Sequence, residues 1–364
     1  GMVWDPSDPS SGSSMEWLRE AYRRTRKDAA AGVDGQTAYY VETERGTTAF
    51  LTEVRDALRA GTFRPLPVKE RMIPKPGTRQ RRRLGIPTVT DRVVQASLKL
   101  VLEPIFEADF RPCSHGFRPG RRAQDAIAEI RHLTSVRYEW VLEGDIAACF
   151  DEIDHTALMD RVRRRVGDKR VLGLVKAFLK AGVLSEDGIE RDTDTGTPQG
   201  GILSPLLANI ALSVLDDRFA EVWQSEMATT WQRKKRRNHG HPNYRLIRYA
   251  DDFVVVIHGE RSDAEALRQE VAAVLATVGL RLSVTKTTIV HVDEGFDFLG
   301  WRIQRHRKRG TAKHFVYTYP SKTSLGKVKA KVKTLSRQGR NEPLSELLHR
   351  LNPVLRGWTN YFRH

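Results

Sequence analysis

Cysteine is nearly absent. Cys113 and Cys149 are the only two in 364 residues. No CxxC or Cys/His cluster exists, which excludes a structural zinc site and a disulfide framework and predicts a reducing, cytoplasmic setting. Long apolar runs are missing too. The longest, over 201–215, is too short and too polar to span a bilayer, and no charged-then-apolar leader opens the chain. No membrane partner is expected. Gly1 ahead of Met2 reads as an expression scar. Acids are in short supply: 45 Asp+Glu stand against 61 Lys+Arg, a net charge of +16, with a pI near 10.0. A surplus of this size points to a polyanionic partner, nucleic acid first. With 40% hydrophobic and 29% charged residues, the chain can still bury a sizeable core, and its length suits two or three structural units.

Residues 2–14, rich in Ser, Pro and Asp, read as a disordered lead-in. Helices are expected from Met15, over about 48–60 with a stop at Gly61, from an Asp91 cap to about Ile105, and over about 122–133. Between them, 65–87 is rich in Pro and Arg and reads as two strands about a turn at Pro76-Gly77. The middle third mixes strands and helices. A strand ends at Gly144, a hairpin surrounds Glu186-Asp-Gly188, and 195–201 is a turn-rich loop. Pro205 opens an apolar helix. A basic excursion over 233–237 precedes two apolar strands, 244–249 and 253–258. This order describes an α+β layer. Residues 301–340 hold thirteen Lys or Arg and no acid. Lys327, Lys329, Lys331 and Lys333 alternate with apolar residues there. With Phe315, Val316, Tyr317 and Tyr319 interleaved, the segment predicts a surface that touches phosphates.

Asp251 and Asp252 stand at the junction of two apolar strands. Adjacent acids are electrostatically unfavourable there unless something positive lies beside them. A hairpin turn is the other reading, since Asp favours turns, but a turn would usually supply Gly or Asn and the flanks here are Ala250 and Phe253. Asp145 closes another apolar strand. Carboxylates so placed can converge on two divalent ions. Hard oxygen ligands favour Mg²⁺, and phosphoryl transfer is the matching chemistry. Asp151 and Asp154 read as caps of the next helix.

Tyr249-Ala-Asp-Asp252, with Gly196-Thr-Pro-Gln-Gly-Gly-Ile-Leu-Ser-Pro205 upstream and Phe296-Asp-Phe-Leu-Gly-Trp301 downstream, resembles the reverse-transcriptase family, and most closely its bacterial group II intron-encoded branch. Ile73-Pro-Lys-Pro, Leu84-Gly-Ile-Pro87, Asp91-Arg92, Cys113-Ser-His-Gly-Phe-Arg-Pro-Gly120, Asn243-Tyr-Arg-Leu-Ile-Arg-Tyr249 and Leu351-Asn-Pro-Val-Leu-Arg-Gly-Trp358 extend the likeness from about Met15 to the end. The resemblance implies an α+β right-hand polymerase. An N-terminal extension and fingers would occupy 15–137. The palm, an antiparallel sheet packed on helices with finger-like insertions, would occupy 138–303, and a partial helical thumb or maturase region 304–364. The implied activity is RNA-directed DNA synthesis from a primer 3′-OH. The alternatives are a maturase-type RNA-binding splicing cofactor and a domesticated reverse transcriptase in CRISPR spacer acquisition or phage defence. An RNA template, a DNA or RNA primer, dNTPs and a cognate intron RNA are the implied partners.

The same resemblance distributes roles. Asp145, Asp251 and Asp252 would be the catalytic, metal-binding carboxylates for two Mg²⁺ ions, with Mn²⁺ a substitute, and the backbone near Ile146 would assist. Lys75 and one of Arg81 or Arg82 would clamp the triphosphate. Phe150, five positions after Asp145, would exclude a ribose 2′-OH; a core aromatic is the plainer reading. Gln199 and Gly200 would contact template and nucleotide. Lys286 would sit near the leaving pyrophosphate as a general acid, or be simply a solvated lysine. Arg118, Lys327, Lys329, Lys331 and Lys333 would hold nucleic acid. One departure stands out: Ala147-Ala148 occupy the place of the family's Lys-Gly. This removes a positive charge and no metal ligand, so altered template or nucleotide contacts are expected. The chain also stops at Tyr361-Phe-Arg-His364, where the family continues, and reads as a truncation, a short lineage or the polymerase part of a fusion.

Overall fold

The computed structural model describes residues 13–74, 81–191, 193–197, 199–339 and 342–363. It divides into two compact units, each discontinuous in sequence. One comprises 1–111, 146–217 and 272–282, the other 112–145, 218–271 and 283–364. The expected lead-in lies outside the described residues, except that Ser13 and Ser14 open the helix Ser13–Arg24. Lys75 and the Pro76-Gly77 turn lie outside them as well.

In the first unit, the strands Val68–Pro74 and Arg81–Ile86 pair antiparallel, with Ile73 opposite Arg82. The short hairpin Val183–Leu184 and Glu190–Arg191 extends that sheet through a parallel contact to Val68–Pro74. The helix Thr47–Ala60 ends at Gly61, as its sequence predicts, with Gly61 at φ 68°. The helix Val89–Glu107 corrects one expectation. Its cap is Thr88, whose hydroxyl accepts from the Asp91 amide at 3.1 Å. Asp91 is the third helical residue and is buried, accepting from the Thr88 hydroxyl at 2.7 Å. Asp154 does cap the helix His155–Arg163, accepting from the Ala157 amide.

The second unit is built on a four-stranded antiparallel sheet in the order Asn243–Tyr249, Asp252–His258, Trp140–Gly144, Thr288–His291. Every residue from Phe253 to Ile257 is buried, so this strand is covered on both faces and reads as a continuous apolar run. The helix Ala123–Ser135 packs on the sheet through Ala126, Ile127 and Ile130, which share one core with Val141, Val254, Val256 and Trp301.

A second sheet, Phe296–Phe298, Trp301–Arg307 and His314–Pro320, closes that core. Phe298 pairs with Trp301 across a two-residue turn, Leu299-Gly300, both at positive φ, as a type I′ hairpin requires. Trp301 is 1% exposed, with its ring 4.8 Å from that of Phe362. Truncating an aromatic buried to this extent costs about 3–5 kcal/mol. The Tyr361 hydroxyl donates to the Leu299 carbonyl at 2.8 Å. The Phe296–Trp301 motif is thus a seat for the last helix, Leu344–Phe362.

The four lysines fall on the helix Lys322–Gln338. Alternation in sequence is not one face there. At 100° per residue, Lys327 and Lys331 form one row and Lys329 and Lys333 another. Leu325, Val328, Val332 and Leu335 fill the half-buried stripe. The aromatic interleaving upstream belongs to the strand His314–Pro320, within a segment expected to be helical.

Candidate active site

In the second unit the strand Trp140–Gly144 pairs with Asp252–His258, and the last rung sets Gly144 opposite Phe253. One residue beyond that rung stand Asp145 and Asp252. The partner hairpin closes with Tyr249 opposite Asp252, so Asp251 lies in its two-residue turn beside Ala250, which is held at φ 57°. The metal-site and turn readings of the acid pair are therefore compatible, because the turn is what delivers the acids to the sheet end. Solvent reaches the Asp252 side chain, yet protein packs closely around it. Burial first, then the Asp251 and Asp145 carboxylates, push its pKa up to about 6, while Lys286 pulls it down. Asp252 thus feels both of the other acids.

Lys286 faces Asp145, with Nζ 3.1 Å from Oδ2. The Asp145 backbone is fixed from the same segment: its carbonyl accepts from the Ser283 amide at 2.8 Å, and its amide donates to the Thr287 hydroxyl at 3.5 Å. Among the described residues, no three His, Cys, Asp or Glu side chains are arranged to hold a metal ion as they stand. The donor chemistry nonetheless fits a divalent cation. The oxygens are hard carboxylates, burial and then the neighbouring carboxylates lift Asp252, and the partner Asp145 has found is an ammonium.

Two supports of this site were not legible as such in the sequence. The first is Gly144. A Cβ built there would lie 1.9 Å from Cζ of Phe253, so the ring occupies the space a side chain would need. A glycine immediately before Asp145, with a phenylalanine following Asp252, was the available signal. The second is Arg248, fully buried in its strand. It donates to the Ala250 carbonyl and to the Ser114 hydroxyl, both at 2.8 Å. Backbone bonds between Arg248 and both Cys113 and His115 stitch the 113–120 segment behind the turn. Arg118 belongs to this brace: it is 8% exposed and donates to the Ser114 carbonyl at 2.8 Å. That burial argues against the nucleic-acid contact expected of it.

The remaining described candidates lie in the first unit. Ile146 is buried, bridged to Leu282. Phe150 is half-buried on the short helix Cys149–Glu152, which follows Ala148 at φ 42°. One loop ties Phe150 to the arginine strand. The Thr197 amide donates to the Phe150 carbonyl at 2.5 Å, and the Gly85 amide donates to the Gln199 carbonyl at 2.6 Å. A Cβ at Gly200 would lie 2.7 Å from the Gly85 oxygen and 2.8 Å from Cδ1 of Leu84, which leaves no room for a side chain. Strand alternation separates the two candidate arginines. Arg82 shares a face with Leu84, the side chain against Gly200. Arg81 shares the other with Arg83, which pairs with Glu70 at 3.6 Å. Both Arg81 and Arg82 are exposed, as are Lys327, Lys329, Lys331 and Lys333.

Comparison with known proteins agrees with this picture. Residues 73–303 match the model of the reverse transcriptase (RNA-dependent DNA polymerase) family, and 325–364 match the group II intron, maturase-specific domain. The chain belongs to the reverse transcriptase family, in its group II intron branch. It is 37% identical over 347 residues to protein YkfC of Escherichia coli, covering 87% of this chain and 90% of that protein. It is 33% identical over 308 residues to the group II intron-encoded protein LtrA of Lactococcus lactis, covering 72% of this chain and 51% of LtrA. It is also 28% identical over 291 residues to nuclear intron maturase 1 of Arabidopsis thaliana, covering 58% of this chain and 40% of that protein. The chain therefore spans about half the length of LtrA. Among the described residues no helix is long and apolar enough to cross a membrane.

Proposed function

We propose that this chain extends a primer 3′-OH with deoxynucleotides on an RNA template. The observation that carries the reading is the delivery of Asp145, Asp251 and Asp252 to one end of the buried sheet. RNA binding alone has no need of three acids gathered at one sheet end, where two of them make the third costlier to ionise. Two Mg²⁺ ions, or Mn²⁺ in their place, would be held by these carboxylates and would supply activation of the primer oxygen and charge neutralisation at the leaving pyrophosphate. Ser283 and Thr287 hold the Asp145 backbone, and Arg248 fixes the turn that carries Asp251. Lys286 carries the proton that the leaving pyrophosphate takes up. We assign 15–137 to the fingers, 138–303 to the palm and 304–364 to a thumb-like region.

In the first unit, Arg82 is the better candidate for the triphosphate, because it shares the face of Leu84, which backs the Gln199-Gly200 loop. Phe150 discriminates against the ribose 2′-OH. The exposed lysine rows of Lys322–Gln338 hold a template–primer duplex through its backbone. The maturase-specific match over 325–364 favours binding of intron RNA by the same region. The test is primer extension on matched RNA and DNA templates. The reading expects synthesis on RNA, and a larger rise in the dNTP KM for Arg82→Ala than for Arg81→Ala. No extension on RNA contradicts the activity, and the reverse ranking contradicts the arginine assignment.

A further inference from the structure

The basic excursion over 233–237 has no part in the chemistry above. It forms the helix Thr230–Asn238, which buries none of its residues. Its Arg233 and Arg237, one turn apart, line an open cavity of about 600 Å³ together with Arg137, Arg245, Trp223 and His258. The cavity is remote from the acids. The hairpin that carries Asp252 at its turn has Asn243 opposite His258 at its other end. Six residues at about 3.3 Å each separate the two ends by roughly 20 Å.

We propose that this cavity is a second nucleic-acid site, which takes a backbone phosphate of a single-stranded segment outside the polymerase site. Four arginines line it against one acid, Glu129, and Glu129 is already engaged by Arg245 at 3.4 Å and His115 at 3.3 Å. Arg233 is spent locally, donating to the Met227 and Ala228 carbonyls. The side chains of Arg137 and Arg237, in contrast, make no hydrogen bond or ion pair among the described residues. Their charge is felt at His258, whose pKa is lowered by burial and then by Arg237 and Arg137. Arg245 lies 4.2 Å from the Trp223 ring centroid, which fixes one cation on the wall.

Two further features point the same way. Arg137 follows the helix Ala123–Ser135 at φ 76°, a left-handed position that usually falls to glycine. The fold holds a long cation in a strained conformation where a residue without a side chain would sit at ease. On the outer side of the basic helix, Trp231 is 68% exposed, with Lys235 5.1 Å from its ring centroid. A cationic cavity beside an exposed aromatic suits a flexible strand, whose phosphate enters the cavity while a base stacks outside it.

The test uses fluorescence anisotropy of a labelled single-stranded RNA oligonucleotide with the full chain, across a salt series. Arg137→Gln/Arg237→Gln is compared with wild type and with the charge-matched surface control Arg163→Gln/Arg170→Gln. We expect roughly tenfold weaker binding for the cavity variant, and a slope of log K against log salt smaller by about 0.7, the contribution of one neutralised phosphate on a single strand. The control should change less than about twofold, and primer extension on a preformed duplex should be unchanged in both. Should the double variant unfold, Arg237→Gln alone, on a helix that buries nothing, is expected to show about half the change in slope. Equal RNA affinity in wild type and cavity variant overturns the proposal. So does thermal stabilisation of the wild type by inorganic phosphate that is lost in the variant while RNA affinity stays equal, since the cavity would then take a free anion and not a strand.

Discussion

Substituting Gly144 by alanine tests how the acids are held in place. The added Cβ would fall 1.9 Å from Cζ and 2.4 Å from both Cε atoms of Phe253. Phe253 is 1% exposed and cannot swing into solvent. Either its ring moves into an occupied core or the two strands part at the rung that precedes Asp145 and Asp252. Forcing a methyl group into a packed interior costs about 1–3 kcal/mol. The contact here is with a ring and not with the far end of a flexible chain, so the upper half of that range applies. For a folding unit of this size each kcal/mol lowers Tm by about 2–4 °C, so thermal unfolding should show a drop of about 4–12 °C. Parting of the strands shifts both carboxylates, and a misplacement of about 1 Å costs on the order of 100-fold in rate. Single-nucleotide incorporation on a template–primer reads this second effect. The double variant Gly144→Ala/Phe253→Leu should be more stable than the sum of the single effects by about 1 kcal/mol or more, because the shorter side chain vacates the contested space. A Gly144→Ala protein with wild-type Tm and a rate within twofold of wild type would mean that the Gly144–Phe253 contact does not hold the acids in place.

The other expectations are of smaller scale. Burial lifts Asp91 from an ordinary 3.8 to about 6, so between those values the folded state keeps a proton that the unfolded state has lost. Stability is therefore greatest below that window and falls as pH rises through it. The full effect is about 3 kcal/mol at 1.36 kcal/mol per pH unit, and urea unfolding at pH 4.5 and 7 should show less of this loss in Asp91→Asn; an unchanged loss contradicts it. Ala148 sits at φ 42°, so Ala148→Gly should relieve strain and raise stability by up to about 1 kcal/mol; a lower Tm would mean the conformation is not strained. Phe150→Ala should raise rNTP use relative to dNTP, and an unchanged ratio would return Phe150 to a packing role.

The acid pair was legible in sequence because two apolar strands frame it, and Gly61 marked a helix end because only its left-handed φ closes that helix cheaply. Other features depend on partners far along the chain. Arg248 reads as one more basic residue until Ser114 and the Ala250 carbonyl are found around its guanidinium. Arg118 counted toward a basic surface and instead ties the 113–120 segment together. Lys327 to Lys333 alternate in a way that suits a strand, yet they form two rows on a helix whose apolar stripe has a different period. Asp91 carried a capping signal, but Thr88, three residues earlier, competes for the same position and its hydroxyl takes the amide. Local pattern identified the elements; which polar residues are spent inside the fold is decided by tertiary contacts.

Nucleotidyl transfer by this chain rests on Asp145, Asp251 and Asp252. Its most direct test is Mg²⁺-dependent single-nucleotide incorporation by wild type and Asp251→Ala side by side on an RNA template, with template–primer affinity measured on the same preparations. Asp251→Ala should lose about 1,000-fold or more in rate, with affinity for template–primer within about twofold of wild type. Full-rate synthesis by Asp251→Ala would contradict it.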